Sequence, residues 1–118
     1  MAGGRRLAVV VSRDFVDAEQ IRDFVRALPA DTVVITGGSR RTDRIAADEA
    51  QARGLAIVTV AADRDPAQGS PGFRLNRAII RHADRVVAFW SGKRDHVYQA
   101  MNLAREQGVP VEIRLARP

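Results

Sequence analysis

The residues best suited to chemistry lie in one polar stretch, Thr36-Gly-Gly-Ser-Arg-Arg-Thr-Asp43, that follows an apolar run. Glycine lets the backbone turn sharply and approach a ligand closely. The free amide groups at a helix start carry partial positive charge that favours phosphate, and the hydroxyl and guanidinium groups of the stretch are donors for the same anion. The stretch therefore indicates an anion-binding loop, although it matches neither the P-loop nor the Gly-x-Gly-x-x-Gly pattern. The alternative is a glycine turn in which Thr42 or Asp43 caps the next helix.

A second polar group, Ser12-Arg13-Asp14, directly follows another apolar run and is suited to contact a ribose or a phosphate. Its alternative is a solvated turn with Asp14 as a local cap. A third candidate is Asn76, whose amide offers both a donor and an acceptor. Arg74 and Arg77 flank Asn76 and share a helix face, which binds a ligand or simply faces solvent.

The fourth candidate is the stretch from Phe89 to His96, which contains the single tryptophan, Trp90, and the single lysine, Lys93. Trp90 either forms a wall of a base or sugar pocket or packs at the end of a strand. His96 is a candidate proton donor, or else an ordinary capping or surface residue.

Composition sets limits on the class of protein. The chain has 118 residues, 46% of them hydrophobic and 28% charged, and this length predicts one domain over residues 1–118. It has no cysteine and two histidines, which excludes a disulfide scaffold, a zinc ribbon and a thiol nucleophile and predicts neither a metal site nor a cofactor. Apolar runs such as Leu7–Val11 are far shorter than the roughly 20 residues of a membrane helix, and no signal-peptide pattern is present. We expect a cytoplasmic protein with no membrane partner.

The net charge of +5 favours anionic partners, and all but one of the 19 basic residues are arginine, which suits bidentate phosphate contacts. The arginines are spread along the chain, however, and aromatic residues make up only 5% of it. Since single-strand binders use aromatic stacking platforms, nucleic acid is the less favoured of the anionic partners.

Hydrophobic patterning predicts the elements that must position these residues. Apolar runs predict five strands, over residues 7–11, 32–36, 55–60, 85–90 and 109–115. Helical periodicity predicts four helices, over about residues 17–28, 44–53, 73–83 and 96–107. Residues 61–72 are rich in proline, glycine and aspartate and predict a long, functional or mobile loop.

The strict alternation of strands and helices predicts an α/β fold, a Rossmann-like, doubly wound parallel sheet with helices on both faces in three layers. Open sheets of this kind bind ligands beyond the carboxyl ends of the strands, where the strand order reverses. The polar stretches after the first, second and fourth strands should meet at that edge.

The same stretches resemble one family. Residues 9–15 (VVVSRDF), 34–46 (VITGGSRRTDRIA), 76–84 (NRAIIRHAD) and 86–93 (VVAFWSGK) are similar to the SLOG-type Rossmannoid superfamily, most closely to its small single-domain YspA-like branch. The superfamily also includes the LOG phosphoribohydrolases and the DNA-processing protein DprA. The resemblance implies a nucleotide-pocket fold and a homodimer.

The sequence departs from this family at several pocket positions. Val11 and Arg41 stand where the branch has glycine, and His96 stands where a Gly-Thr pair opens the last helix. The LOG enzymes use a glutamate and an arginine at the positions of Ala100 and Leu75. Alanine cannot stabilise a cationic sugar transition state, so the resemblance implies a partly eroded pocket rather than N-glycosidic cleavage.

Three functions remain open at this point. The first is a domain that binds a nucleotide or a phosphorylated nucleoside-type ligand. The second is a vestigial pocket on a protein- or nucleic-acid-interaction module, and the third is a nucleotide-directed hydrolase or transferase with Asp43 or Asp95 as acid/base. The predicted ligand-binding residues are Ser12, Arg13, Gly37, Gly38, Ser39, Arg40, Asp43, Asn76, Trp90, Gly92 and Lys93.

Overall fold

A computed structural model describes residues 5–37 and 41–118, with the side chains of Arg41 and Thr42 outside that description. The strands are β1 (Arg6–Val11), β2 (Val33–Thr36), β3 (Ala56–Thr59), β4 (Arg85–Phe89) and β5 (Val111–Arg114). The α-helices are α1 (Ala18–Arg26), α2 (Arg41–Ala52), α3 (Pro71–His82) and α4 (His96–Glu106). All strand pairs are parallel, in the order β3-β2-β1-β4-β5. The predicted Rossmann-like α/β fold is confirmed.

The central strand β1 explains why the sheet forms from continuous apolar runs. Leu7, Val9 and Val11 join the core beneath one face of the sheet, while Ala8 and Val10 join the core beneath the other. Side chains alternate between the faces of a strand, so a strand covered on both sides must be apolar throughout.

Two helices cover each face and make the three layers. The first core contains α1 and α2 residues such as Val25 and Ala46, and the second contains α3 and α4 residues such as Ile79 and Ala100. In α1, Asp17 caps the helix by accepting from the Gln20 amide at 3.1 Å, which satisfies one of the free amides at the helix start.

Two helices begin earlier than the sequence pattern indicates. Helix α2 begins at Arg41, which places Asp43 in its first turn rather than in a loop. Helix α3 begins at Pro71, because Ser70 caps it by accepting from the Phe73 amide at 3.3 Å. Asn76 therefore lies in the second turn of α3 and not at its start.

The predicted long loop after β3 is shorter than expected and contains a short 3-10 helix, Pro66–Gln68. Arg74 donates to the Asp63 carbonyl at 2.8 Å and Arg77 donates to the Gln68 side chain at 3.0 Å. The two arginines on α3 therefore hold this loop instead of forming a simple solvated face.

Candidate functional site

The polar stretches after β1 and β4 meet at the point where the strand order reverses. The chain runs outward from β1 to β2 and β3, then crosses to β4 and β5 on the other side of β1. The residues that follow β1 and β4 therefore leave neighbouring strands at the same edge, which is the position where open α/β sheets bind ligands.

A cavity of about 410 Å³ lies at this edge, and we call it the strand-end cavity; its lining is Arg13, Asp14, Lys93, Asp95 and His96. Arg13 is exposed, and within residues 5–37 and 41–118 its guanidinium has no ion pair or hydrogen bond. A free guanidinium presents two parallel N–H groups to a phosphate or carboxylate.

Lys93 and Asp14 form an ion pair across the cavity, with 2.6 Å between the ammonium nitrogen and the carboxylate oxygen. The hydrogen bond to Lys93 lowers the pKa of Asp14, and the hydrogen bond to Asp14 raises the pKa of Lys93. Both groups are charged at neutral pH and offset each other, so Arg13 is the lining cation that forms no ion pair within the described residues.

Asp95 is the N-cap of α4. Its Oδ1 accepts from the backbone amides of Val97 at 3.0 Å and Tyr98 at 3.1 Å. These are the free donors to which a phosphate would bind at this helix start. The Asp95 carboxylate takes the place of the phosphate at these amides, and this cap was not predicted from the sequence.

Ser12 is fully buried, beneath the strand-end cavity rather than on its surface. Its hydroxyl accepts from the Ser91 amide at 3.1 Å, and its own amide donates to the Phe89 carbonyl at 2.9 Å. Ser12 therefore joins the loop after β1 to the loop after β4.

Asn76 is also fully buried. Its Nδ2 donates to the His96 carbonyl at 2.9 Å and to the Gln99 side chain at 3.0 Å. Its Oδ1 is buried and has no hydrogen-bond partner among the described atoms. Both amide hydrogens of Asn76 thus hold α3 against the start of α4, where His96 lines the cavity.

Trp90 is half-buried and stacks on Tyr98, with ring centroids 5.8 Å apart and planes 22° from parallel. Its indole N–H donates to the Lys93 carbonyl at 2.6 Å, which closes the turn after β4. Gly92 in this turn has a φ of 93°, a conformation that L side chains rarely adopt. Tyr98 was not predicted, since nothing in the spacing of the two aromatics shows that they stack.

In the stretch from Thr36 to Asp43, the structure describes Gly37 and Asp43. Gly38, Ser39 and Arg40 lie outside the described residues. A Cβ on Gly37 would lie 2.9 Å from the nearest side-chain atom of Leu75, so close packing on α3 favours glycine there. Asp43 is 4% exposed in the first turn of α2, where a carboxylate is favourable to the helix dipole.

A second cavity, of about 390 Å³, adjoins the strand-end cavity and shares Asp14 with it. We call it the apolar patch, because Val16, Trp90 and Leu115 are among its lining residues. Val16 is 85% exposed and Leu115 is 59% exposed. Large exposed apolar side chains beside a charged cavity are typical of a surface that contacts a ligand or a partner.

In the described part of the chain, no three histidine or acidic residues lie close enough to hold a metal ion. None of the described helices is both long enough and apolar enough to cross a membrane.

The fold is shared with solved structures of a DNA-processing protein. DNA processing protein A (DprA) from Streptococcus pneumoniae superposes with a TM-score of 0.76 and 17% identity, over 92% of this chain and 49% of that chain. DprA from Helicobacter pylori, whose structure concerns its single-stranded DNA binding mode, superposes with a TM-score of 0.71 and 15% identity, over 94% of this chain and 65% of that chain. No family model and no curated protein matches the sequence. This chain is therefore similar in fold to DprA and spans about half to two-thirds of the length of these structures.

Proposed function

We propose that this domain binds the phosphate group of a nucleotide unit, either as a free nucleotide or within single-stranded nucleic acid, in the strand-end cavity. The observation that carries the proposal is the exposed guanidinium of Arg13, which has no partner in the described residues and lies at the reversal point of the strand order. A cation at this position of a doubly wound sheet is suited to an anionic ligand.

The start of α2 supplies the second set of donors in this proposal. Gly37 follows β2, the neighbour of β1, so it leaves the same edge of the sheet as Arg13, and α2 begins at Arg41. The sequence predicts that the amides at the start of α2 and the side chains of Ser39 and Arg40 bind the phosphate; Ser39 and Arg40 lie outside the described residues. The start of α4 does not compete for the same anion, because Asp95 already occupies its amides.

Binding is favoured over catalysis because no described carboxylate is free to act in the cavity. Asp95 is engaged as a helix cap, and Asp14 is paired with Lys93 at 2.6 Å. Ala100, at the position of the LOG glutamate, is fully buried in the core. General acid/base work needs a carboxyl group within reach of the substrate.

Single-stranded nucleic acid gains support from the comparison with DprA of Helicobacter pylori, a protein described as binding single-stranded DNA. The net charge of +5 is consistent with this partner. Homodimer formation stays a prediction from the family resemblance.

Fluorescence anisotropy with a labelled single-stranded oligonucleotide tests the proposal. Arg13→Gln should weaken binding and lower the slope of log K against log salt by about 0.7, the value for one lost phosphate contact on a single strand. Asp14→Asn should strengthen binding, because it removes the carboxylate that offsets Lys93. Arg81→Gln is the matched control, since Arg81 is exposed in the last turn of α3, at the opposite end of the sheet.

Competition with a nucleoside monophosphate separates the two ligand forms. Displacement of the oligonucleotide by the free nucleotide shows that the cavity recognises a single phosphate unit. Equal effects of Arg13→Gln and Arg81→Gln, or no binding of either ligand, contradict the proposal.

A further inference from the structure

A further cavity lies away from the strand-end cavity, on the α1 side of the sheet. It is a groove of about 580 Å³ between α1 and β5, and Phe24, Ala27, Leu28, Arg85, Arg114 and Arg117 are among the residues that line it. We call it the arginine groove. On this side the wall is formed by α1 residues from Gln20 to Phe24 and then by Ala27, Leu28 and Pro29, which follow the helix.

The groove exists because the α1 side of β5 carries charged residues. Glu112 and Arg114 are in register with Val87 and Phe89, which belong to the core beneath α1 and α2. The side chains of Glu112 and Arg114 therefore point to that side, and they remain 42% and 40% exposed. An apolar helix laid on this face would remove two charges from water, which is costly. The face is better suited to a polar, charged ligand.

Two arginines in the groove have side-chain N–H groups that make no hydrogen bond in the described part of the chain. The Arg85 side chain is half-buried and makes no hydrogen bond or ion pair within the described part of the chain. Arg114 donates through Nε to Glu112 at 2.6 Å, and its guanidinium lies 4.7 Å from the centre of the Phe24 ring. Stacking on an aromatic ring fixes the plane of a guanidinium and leaves its outer N–H groups for an anion.

The acidic groups near the groove are already paired. Asp23 lines the groove and forms an ion pair with Arg26 at 3.4 Å. Asp17, beside the groove, is bound by the Arg117 guanidinium at 2.8 Å and 2.9 Å. Arg85 is the lining cation that no described carboxylate offsets.

The groove continues the path that begins at the strand-end cavity. The strand-end cavity and the apolar patch share Asp14. Leu115 and Ala116 line the apolar patch, and the next residue, Arg117, lines the groove. Gln20, a groove residue, donates to the Leu115 carbonyl at 2.9 Å, so the patch and the groove adjoin.

We propose that the arginine groove holds the continuation of a single-stranded nucleic acid whose first phosphate occupies the strand-end cavity. The inference rests on the proposed function and names one of its two ligand forms. Apolar side chains at Trp90, Val16 and Leu115 offer surface to bases, and Arg114 and Arg85 offer charge to later phosphates. Single-strand binders combine such surfaces with a positively charged groove.

The experiment compares two lengths of single-stranded oligonucleotide, of about 4 and about 16 nucleotides, which span the site sizes of single-strand binding modules. Binding is measured over a range of salt concentrations for the parent chain, for Arg85→Gln and for Arg114→Gln. Arg105→Gln is the matched control, because Arg105 is an exposed arginine of α4, on the opposite face of the sheet.

The longer oligonucleotide should bind more tightly than the short one. Each groove variant should lower the slope of log K against log salt concentration by about 0.7 for the longer oligonucleotide. For the short oligonucleotide this slope should stay unchanged. Arg85→Gln is the decisive variant, since the described structure gives its side chain no polar partner to lose; Arg114→Gln also removes the contact with Phe24.

The two proposals fail in different ways. If the short oligonucleotide binds and Arg85→Gln behaves like Arg105→Gln with the longer one, the groove proposal is wrong and the proposed function stands. That result is also the one expected if the groove receives a protein. If neither oligonucleotide binds, both the groove proposal and nucleic-acid binding in the cavity are overturned.

Discussion

Asn76 is the buried link between α3 and the start of α4, and its replacement tests how the strand-end cavity is built. Asn76→Ala removes the hydrogen bonds to the His96 carbonyl and to Gln99, of 2.9 Å and 3.0 Å. The variant should be less stable, because the His96 carbonyl loses a donor that the fully buried Asn76 side chain supplies. It should also bind the ligand less well, because His96 lines the cavity.

The magnitude follows from burial. A buried polar group left without its partner costs about 1–3 kcal/mol. Gln99 is half-buried and can turn to water, so most of the loss comes from the other acceptor. A domain of this size has a total stability of roughly 6–18 kcal/mol, so the free energy of unfolding falls by a substantial fraction.

Urea denaturation followed by circular dichroism measures this loss. With a slope of about 1–3 kcal/mol per molar urea, the midpoint should fall by roughly 1 M. Gln99→Ala is the control, because it removes only the half-buried partner, and we expect a cost below about 1 kcal/mol. The reasoning is refuted if Asn76→Ala costs no more than Gln99→Ala.

Three further predictions concern the loops at this edge and the C-terminal segment. Asp95→Ala should cost about 1 kcal/mol through loss of the α4 cap, and an unchanged urea midpoint would refute the cap. Gly92→Ala should lower the free energy of unfolding by about 1–2 kcal/mol, since the φ of Gly92 is 93°. In the control, Gly72→Ala inside α3 should be neutral or stabilising, and thermal melts of both variants measure the difference. Asp17→Asn keeps a capping side chain but loses the ion pair with Arg117. In the parent chain the hydrogen bond from Arg117 lowers the pKa of Asp17. The variant should therefore be less stable than the parent chain at pH 7, with the gap closing as the pH falls below about 4; a gap independent of pH would contradict this.

The sheet could be predicted because parallel strands covered on both faces leave a strong signal. Leu7–Val11 is apolar at every position and is buried at every position. The alternation of such runs with amphipathic segments predicts right-handed crossovers between parallel strands. These crossovers determine the edge of the sheet at which the loops meet. The edge strand β5 is half-exposed, and its predicted bounds were correspondingly too long.

The candidate site was harder to predict, because its geometry depends on contacts between distant residues. Ser12 and Ser91 are bonded across 79 positions of sequence, as are Asp14 and Lys93. The sequence indicated these residue types at the right edge but not that Ser12 is buried. At the start of α4 the missing Gly-Thr pair is visible in the sequence, whereas the cap by Asp95 is visible only in the structure.

The arginine groove left no signal in the sequence. Arg85 and Arg114 come from neighbouring strands and Phe24 from the helix above them. Each looks like one more member of a widely spread set of arginines, and only the register of β4 and β5 places them together. Homodimer formation and cytoplasmic location stay predictions.

A two-dimensional ¹⁵N–¹H NMR titration with a short single-stranded oligonucleotide tests phosphate binding in the strand-end cavity most directly. The largest shifts are predicted at the amides of Arg13 and Lys93 and of residues 37–43, with the amides of β3 and of the last turn of α4 unchanged. Shifts that are absent from Arg13 and Lys93 and concentrated at β3 would contradict phosphate binding at this edge of the sheet.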